Sequence, residues 1–324
     1  MGVQANLNTL IGDIAVEVEK TVDEKLAGFT KTLEAKMEEV DQKIISGVKL
    51  TIEYDDKTTE VKGLKHHMFP KLLMTAGQRL PIMLVGQAGT GKTYAGEQIA
   101  RALGLEFYAI SFGSQTSKTD LTGYRDANGN TVRTAFREAF EHGGVFVGDE
   151  IDAGNSNVTI TLNSALSSDF CPFPDGMVKK HKDFIFIGTA NTFGHGASRE
   201  YVGRNQLDAA TLDRFVTIEW VLDERLEQQL VKPYKHGDTW LRVIRGVRDY
   251  VERNSLRMMV TPRATIYGSK LLEQDMDANF VIDVTLMGSA PEKSFGDIQR
   301  KARALWEERK PKEVSSEDVQ QRLG

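Results

Sequence analysis

The chain has 324 residues, of which 40% are hydrophobic and 27% are charged, and its formal net charge at pH 7 is −5. The length suggests two domains with an ample core, and the acidic balance argues against a dominant nucleic-acid-binding surface. Cys171 is the single cysteine, so no disulfide can form within the chain, and the sequence shows neither a secretory signal nor an apolar run of about 18 residues. We therefore expect a cytoplasmic protein without membrane contact.

The N-terminal segment, residues 1–47, is typical of a long amphipathic helix. Residues 3–45 contain no proline, and apolar side chains recur about every 3.7 residues. Because this interval exceeds the roughly 3.5 residues of a heptad coil, the helix is expected to pack along a partner or in an irregular bundle. Docking on the chain's own second domain is an equal alternative, since Gly28 and Gly47 could divide the helix. Residues 48–63 predict a small β-hairpin linker.

Residues 64–222 predict an α/β domain. After a short helix over 64–77, strands alternate with helical stretches, which predicts a parallel five-stranded sheet between layers of helices, with the ligand at the carboxyl ends of the strands. His66 and His67 are expected to be solvated rather than metal-bound, because no further ligand lies nearby in the sequence. The strands are expected at 82–85, 106–112, 145–149, 184–190 and 215–220.

Residues 223–324 predict a separate helical lid domain. Pro262 and Pro291 are expected at the first positions of its last two helices, where the missing N–H costs nothing. No internal repeat or low-complexity tract is present in the sequence. The helices are expected near 224–231, 238–253, 262–274 and 291–309.

A phosphate-binding loop, GxxxxGK[ST], follows the first strand of the α/β domain. In this motif the glycines let backbone N–H groups surround phosphates, Lys92 reaches the β and γ phosphates, and the Thr93 hydroxyl ligates magnesium. ATP with Mg²⁺ is therefore the expected ligand pair, and ATP is preferred over GTP because the chain has no Asn-Lys-x-Asp motif. The expected nucleotide-binding residues are Gly86, Gln87, Ala88, Gly89, Thr90, Gly91, Lys92, Thr93 and Tyr94.

Two further strand ends carry polar side chains suited to hydrolysis. Asp149 and Glu150 follow an apolar strand in a Walker B arrangement, in which Asp149 holds the magnesium shell and Glu150 polarises the attacking water. Asn191 ends a later strand, where its carboxamide can donate to a γ-phosphate oxygen and accept from the water. A general base supplied by the same chain, here Glu150, indicates that the nucleotide is hydrolysed rather than only stored.

These motifs together resemble the AAA+ ATPases, and more narrowly the branch that contains MoxR proteins, the CobS cobaltochelatase subunit and dynein-like midasin modules. The resemblance covers about residues 64–275 and implies the αβα fold of a P-loop NTPase with a C-terminal helical lid. Besides the phosphate loop and the Asp149-Glu150 pair, it rests on Thr189-Ala190-Asn191-Thr192-Phe193-Gly194, Tyr201-Val202-Gly203-Arg204, Leu212-Asp213-Arg214-Phe215 and Thr261-Pro262-Arg263.

The resemblance implies roles for single residues. Asn191 is similar to sensor 1, Arg214 to the arginine finger that enters the neighbouring subunit's site, and Arg263 to sensor 2 of the lid. Arg204 and Arg199 are rivals of Arg214 for the finger. A finger supplied in trans contributes about 10³- to 10⁵-fold in rate, so the resemblance implies a homo-oligomeric ring, expected as a hexamer, whose monomer hydrolyses ATP poorly.

Two segments, 123–130 and 173–178, carry Asn-Gly and Asp-Gly turns that predict hairpins. The resemblance places both hairpins in the ring pore. The favoured function is remodelling or assembly of a partner protein, and related ATPases often act with a partner that bears a von Willebrand factor A domain. One alternative is a DNA-acting motor or loader, encoded by a phage, with Arg125, Arg133 and residues 179–182 in the pore. Another is a nucleotide-dependent scaffold.

Overall fold

The computed structural model describes residues 51–54, 57–60, 63–197 and 201–308. The predicted N-terminal helix and Arg199 lie outside the described residues. The central sheet and the C-terminal helices belong to one compact unit, so the predicted division into two domains between residues 222 and 223 stays a prediction. The chain divides into a unit of residues 1–51 with 60–63 and a unit of residues 52–59 with 64–324.

Two short strands, β1 (Thr51–Tyr54) and β2 (Lys57–Glu60), pair in a two-stranded sheet. They lie in the stretch for which the sequence predicts a hairpin. The helix predicted over 64–77 begins only at Phe69 and ends at Gly77, and we name it α1 (Phe69–Gly77). Pro70 lies in its first turn, where proline is favoured, which explains the later start.

The central sheet confirms the predicted five-stranded parallel arrangement. Two of its three inner strands, Ile82–Val85 and Phe184–Ala190, are predominantly apolar and buried along their whole length, as expected for strands that are covered on both faces. The strands are β3 (Ile82–Val85), β4 (Phe107–Ser111), β7 (Gly144–Asp149), β10 (Phe184–Ala190) and β11 (Val216–Glu219). They lie in the order β11-β3-β10-β7-β4.

The register of the sheet brings the functional strand ends together. Ala190 pairs with Val85, and Gly188 pairs with Gly148. Because all the strands run in the same direction, the residues that follow β3, β7 and β10 meet at one edge. This edge carries the phosphate loop, the acidic pair and Asn191.

Helices and an aromatic cluster cover the sheet. Phe136 packs edge-on against Phe146 of β7, with ring centroids 5.1 Å apart, and Phe140 packs against Phe184 of β10 at 5.3 Å. Such edge-to-face pairs add to the stabilisation from burial. The helices of this part are α2 (Lys92–Leu103), α3 (Lys118–Thr122), α4 (Ala135–His142), α5 (Ser156–Ser167) and α6 (Ala209–Leu212).

Two small hairpins lie where the Asn-Gly and Asp-Gly turns predict them. The first pairs β5 (Tyr124–Arg125) with β6 (Thr131–Val132), and the second pairs β8 (Phe170–Phe173) with β9 (Gly176–Lys179). Arg125 Nε donates to the Pro174 carbonyl at 3.2 Å, which connects the two hairpins. Their predicted location in a ring pore stays a prediction.

The C-terminal part is helical, but the sequence missed one helix and misplaced the start of another. Val281 and Ile282 of the missed helix are fully buried, so packing outweighs the weak helix propensity of its β-branched residues. Pro291 precedes a 3₁₀ turn, Glu292–Ser294, and the last helix begins only at Phe295. The helices are α7 (Glu224–Val231), α8 (Gly237–Arg253), α9 (Pro262–Glu273), α10 (Ala278–Leu286) and α11 (Phe295–Glu307). Among the described residues, no helix is long and apolar enough to cross a membrane.

Candidate nucleotide-binding site

The phosphate loop joins β3 to α2 at the edge where the parallel strands end. Gly89 and Gly91 have φ angles of 80° and 85°, a left-handed conformation that other residues rarely adopt. At Gly86 an added Cβ would lie 2.0 Å from the carbonyl oxygen of Trp220, so this position requires glycine. Trp220 Nε1 donates to the Thr90 carbonyl at 3.1 Å. These constraints fix the turn against the end of β11.

Lys92 lies inside the site, with 7% of its surface exposed. Its Nζ donates to the carbonyl oxygens of Gly86 and Gln87 at 2.7 and 2.9 Å, and to Asn191 Oδ1 at 3.0 Å. Burial lowers the pKa of Lys92 to about 8, although the nearby acids, Asp149 first among them, partly counteract this effect. The structure thus brings the phosphate-loop amine to the end of β10.

The acidic pair lies at the end of β7. Thr189 Oγ1 donates to Asp149 Oδ1, and the backbone N–H of Glu150 donates to Thr189 Oγ1 at 3.1 Å. Glu150 has a φ of 57°, a left-handed conformation that costs about 1 to 3 kcal/mol for a residue with a side chain. Such strain is concentrated at functional sites, and here it turns the chain directly after the strand.

The segment after β10 returns to the same site. The backbone N–H of Ala88 in the phosphate loop donates to the Tyr201 hydroxyl at 3.0 Å. Arg204 Nη1 donates to Glu150 Oε2 at 3.2 Å and to Asp152 Oδ1 at 3.3 Å. Arg204 therefore engages the site of its own chain.

The other two arginines differ in position. Arg214 donates from Nε to Ser167 Oγ at 2.6 Å and from Nη1 to the Ala210 carbonyl, so it contacts the ends of α5 and α6. Arg263, near the start of α9, lies beside the phosphate loop, since its Cγ is 3.6 Å from the place a Cβ on Gly89 would take. Arg263 thus brings the helical part of the chain to the loop.

A cavity of about 350 Å³ adjoins the phosphate loop. Its lining is largely apolar, which suits the flat faces of a ring system. It includes residues from the segment before α1, from the loop and α2, and from α7 and α9. Those that define its walls are Leu64, His66, Thr90, Tyr94, Trp220, Leu226, Leu230 and Ile266.

The expectation that both histidines are solvated is wrong for His66, which is 4% exposed. Its ring stacks on Trp220 with centroids 4.0 Å apart. Its Nε2 donates to the Val221 carbonyl at 2.8 Å, and its Nδ1 accepts from the Met68 N–H at 3.1 Å. Burial lowers the pKa of His66, which favours the neutral ring.

His66, His67 and Asp223 have donor atoms within 4.8 Å of one another, a spacing that a metal ion could use. Both ring nitrogens of His66 are already engaged, and His67 Nδ1 pairs with Asp223 Oδ2 at 3.0 Å. The cluster is therefore satisfied by hydrogen bonds without a metal.

Comparison with known proteins identifies the family. Residues 81–215 match the family described as an AAA domain of the dynein-related subfamily. These residues form an AAA domain of this subfamily. The chain is similar to the aerobic cobaltochelatase subunit CobS of Sinorhizobium sp., with 28% identity over 236 residues that make up 65% of this chain and 70% of CobS. This similarity confirms the predicted MoxR/CobS-like branch.

Two more distant similarities extend over most of this chain. A Lon protease of Methanosphaera stadtmanae is 24% identical over 234 residues, which are 64% of this chain but only 27% of the protease. The chain therefore matches about a quarter of that relative. The structure of NtrX from Brucella abortus has a TM-score of 0.50 and 15% identity, covering 86% of this chain and 65% of NtrX. It supports the fold alone.

In this AAA+ core, the structure brings together most residues that the sequence singled out, namely Gly86 to Thr93, Asp149, Glu150, Asn191 and Arg204. Their individual roles stay predictions. Sequence reasoning missed Asp152, Trp220 and the burial of His66, and it gave Tyr201 no role of its own. The third acid in Asp149-Glu150-Ile151-Asp152 was a usable signal for Asp152, whereas nothing near His66 in the sequence indicated its stacking partner.

Proposed function

We propose that the chain binds ATP and hydrolyses it with Mg²⁺. The observation that carries this proposal is the hydrogen bond from Lys92 Nζ to Asn191 Oδ1, beside the Asp149-Glu150 pair. A side chain that can reach the γ-phosphate and one that can orient water thus stand together at the edge of the sheet. Membership in the AAA+ ATPases supports the same activity.

The nucleotide would occupy two adjoining regions. Its phosphates would lie along the loop, where they would take the Ala88 N–H from the Tyr201 hydroxyl and draw Lys92 away from the loop carbonyls. Its base would enter the apolar cavity, whose lining includes Trp220 and Ile266 of α9. Arg263, beside Gly89, would then contact the phosphates from the lid.

The oxygen donors beside the loop fit a magnesium ion. Thr93 supplies a hydroxyl and Asp149 a carboxylate, and Mg²⁺ prefers such hard oxygen ligands. The hydrogen bond from Thr189 orients the Asp149 carboxylate. When bound, the ion would neutralise charge on the phosphates.

Glu150 and Asn191 would act on the attacking water. The Glu150 carboxylate would accept a hydrogen bond from the water and polarise it, and Arg204 holds that carboxylate in place. The Asn191 amide would accept from the same water and donate to the γ-phosphate, which aligns the water for in-line attack.

The site would be completed by a second subunit in a homo-oligomeric ring, which we expect to be a hexamer. Arg214 is the arginine proposed to act in trans, because it binds Ser167 and Ala210 at the ends of helices rather than the acidic pair that Arg204 contacts. In an assembled ring it would release these contacts and neutralise charge in the neighbouring site.

Hydrolysis would drive remodelling or assembly of a protein partner. Tyr124 and Met177, on the two connected hairpins, expose 52% and 64% of their surface, and such apolar side chains suit contact with a polypeptide. The similarity to CobS, one subunit of a larger enzyme, supports a separate partner, for which a von Willebrand factor A domain protein is our candidate. The DNA-motor alternative is less favoured, because Arg133 is paired with Glu138 and Glu141.

The test measures ATP hydrolysis per subunit at increasing protein concentration. Specific activity should rise as rings assemble, and Glu150→Gln should bind ATP without hydrolysing it. Glu97→Gln, which changes a surface glutamate paired with Arg101, is the matched control and should keep wild-type activity. Specific activity that is constant across the assembly range would contradict the shared site, and strong stimulation by duplex DNA would favour the alternative.

A further inference from the structure

Asp152 is a fully buried carboxylate in the 3₁₀ turn, Ile151–Ala153, that follows Glu150. Its Oδ2 accepts hydrogen bonds from the backbone N–H of Asn191, and from the N–H and hydroxyl of Thr192, each at 3.0 Å. Its Oδ1 accepts from Arg204 Nη1 at 3.3 Å. Burying a carboxylate is costly unless donors surround it, and here four donors do so.

Arg204 links this carboxylate to Glu150. The same Nη1 atom lies 3.2 Å from Glu150 Oε2 and 3.3 Å from Asp152 Oδ1, and only 13% of the Arg204 side chain is exposed. The next residue fastens the segment, since the Asn205 N–H donates to the Asp152 carbonyl at 2.7 Å and its Nδ2 donates to the Gly154 carbonyl at 2.8 Å. Arg204 is therefore held at a defined place between the two acids.

We propose that Asp152 is a positioning residue that sets the relative placement of Glu150 and Asn191. One oxygen fixes the backbone at Asn191, and the other fixes Arg204, which in turn holds the Glu150 carboxylate. The inference rests on the proposed ATPase function of this site. Asp152 contacts Asn191, Thr192 and Arg204, whereas most of the proposed nucleotide contacts lie in the phosphate loop and the cavity. Misplacement of either catalytic group should therefore slow hydrolysis without weakening binding.

The main variant is Asp152→Asn, which keeps the shape of the side chain. All four groups around Asp152 are donors, so the amide nitrogen of asparagine would face a donor. The variant would therefore lose the hydrogen bonds either to Asn191 and Thr192 or to Arg204. We expect kcat to fall about 10- to 100-fold, the range typical for loss of a hydrogen-bond partner that orients a metal ligand. The Kd for a fluorescent ATP analogue with Mg²⁺ should change less than about threefold.

Arg204→Met removes the residue that links Asp152 to Glu150, and it provides a second test if Asp152→Asn does not fold. It should also lower kcat more than it raises the Kd for the analogue. The double variant tests whether the two residues act together. If they do, its kcat should be close to that of the less active single variant, and the two fold-losses should not multiply. A multiplicative loss would overturn the link through Arg204.

The matched control is Asp183→Asn. Asp183 is a half-buried carboxylate that pairs with Arg79 at 2.9 Å, and it directly precedes β10, at the opposite end from Asn191. This variant should lower the temperature of thermal unfolding and leave kcat near the wild-type value. If the wild type hydrolyses ATP and Glu150→Gln does not, a wild-type kcat in folded Asp152→Asn would overturn the role of Asp152 and leave the proposed ATPase function intact. If the wild type does not hydrolyse ATP, or Glu150→Gln hydrolyses it equally well, the proposed ATPase site itself is rejected.

Discussion

The buried amine of Lys92 predicts that nucleotide affinity depends on pH in the alkaline range. Burial lowers the pKa of Lys92 from 10.5 to about 8, because the free site offers carbonyl and amide oxygens rather than a direct carboxylate partner. A polyphosphate favours the charged amine, so the pKa must rise in the complex. Binding above pH 8 should therefore take up a proton.

The size of the effect follows from the charged fraction of the free site. With a pKa of about 8, roughly nine-tenths of Lys92 is charged at pH 7 and roughly one-tenth at pH 9. If only the charged form binds well, the Kd for ATP should rise about tenfold over this range, which is about 1.4 kcal/mol. The free energy of unfolding of the nucleotide-free protein changes in the opposite direction to nucleotide affinity. It should increase as the pH rises from 8 towards 10.5, because the folded protein then no longer has to bury a charged amine that the unfolded chain keeps charged in water.

The assay is isothermal titration of Mg-ATP into the protein between pH 7 and pH 9, in buffers of different ionisation enthalpy. The wild type should take up about 0.9 proton on binding at pH 9. Lys92→Arg is the matched control, because a guanidinium stays charged throughout, so its weaker binding should be independent of pH. A wild-type Kd that is flat with pH, or an equal rise in Lys92→Arg, would refute the reasoning.

Two other predictions concern the proposed shared site and the packing of the C-terminal helices. In a mixture of Arg214→Ala and Lys92→Ala subunits, ATPase activity should recover, because intact Arg214 from one subunit completes the intact Lys92 site of its neighbour. The same mixture made with Arg204→Met should show no more activity than Arg204→Met alone, since Arg204 binds Glu150 of its own chain, and recovery there would assign the finger to Arg204. Among the C-terminal helices, Glu227 is 1% exposed and accepts from both Arg248 Nη atoms at 2.8 and 3.2 Å. Glu227→Ala should lower the free energy of unfolding by about 3 kcal/mol in denaturant titration, and a change below 1 kcal/mol would contradict a structural role for this pair.

The parts of the structure that the sequence predicted are those fixed by local pattern. The buried strands appear as continuous apolar runs, and the phosphate loop, the Asp149-Glu150 pair and Asn191 are tied to strand ends by motif and order. Helix α10 was missed because Val281 and Ile282 disfavour a helix until they are packed in the core. Local propensity does not contain that packing energy.

The missed contacts of the site join residues that are distant in the sequence. His66 bonds to the carbonyl of Val221, 155 positions away, and Arg204 reaches Asp152, 52 positions back. A single sequence gives no sign of such pairs, and an isolated histidine or arginine is more often solvated. The fold alone determines these partners, which is why the sequence left Arg204 as a rival of Arg214 for the finger and placed His66 at the surface.

The position of Trp220 allows nucleotide binding to be followed by intrinsic tryptophan fluorescence. Its indole N–H is bonded to the phosphate loop, and its ring forms a wall of the apolar cavity and stacks on His66. A base that enters the cavity would change the solvent contact and stacking of this ring, and so its fluorescence. The other two tryptophans, Trp240 and Trp306, lie in helices α8 and α11, so their replacement by phenylalanine would leave one optical reporter at the nucleotide.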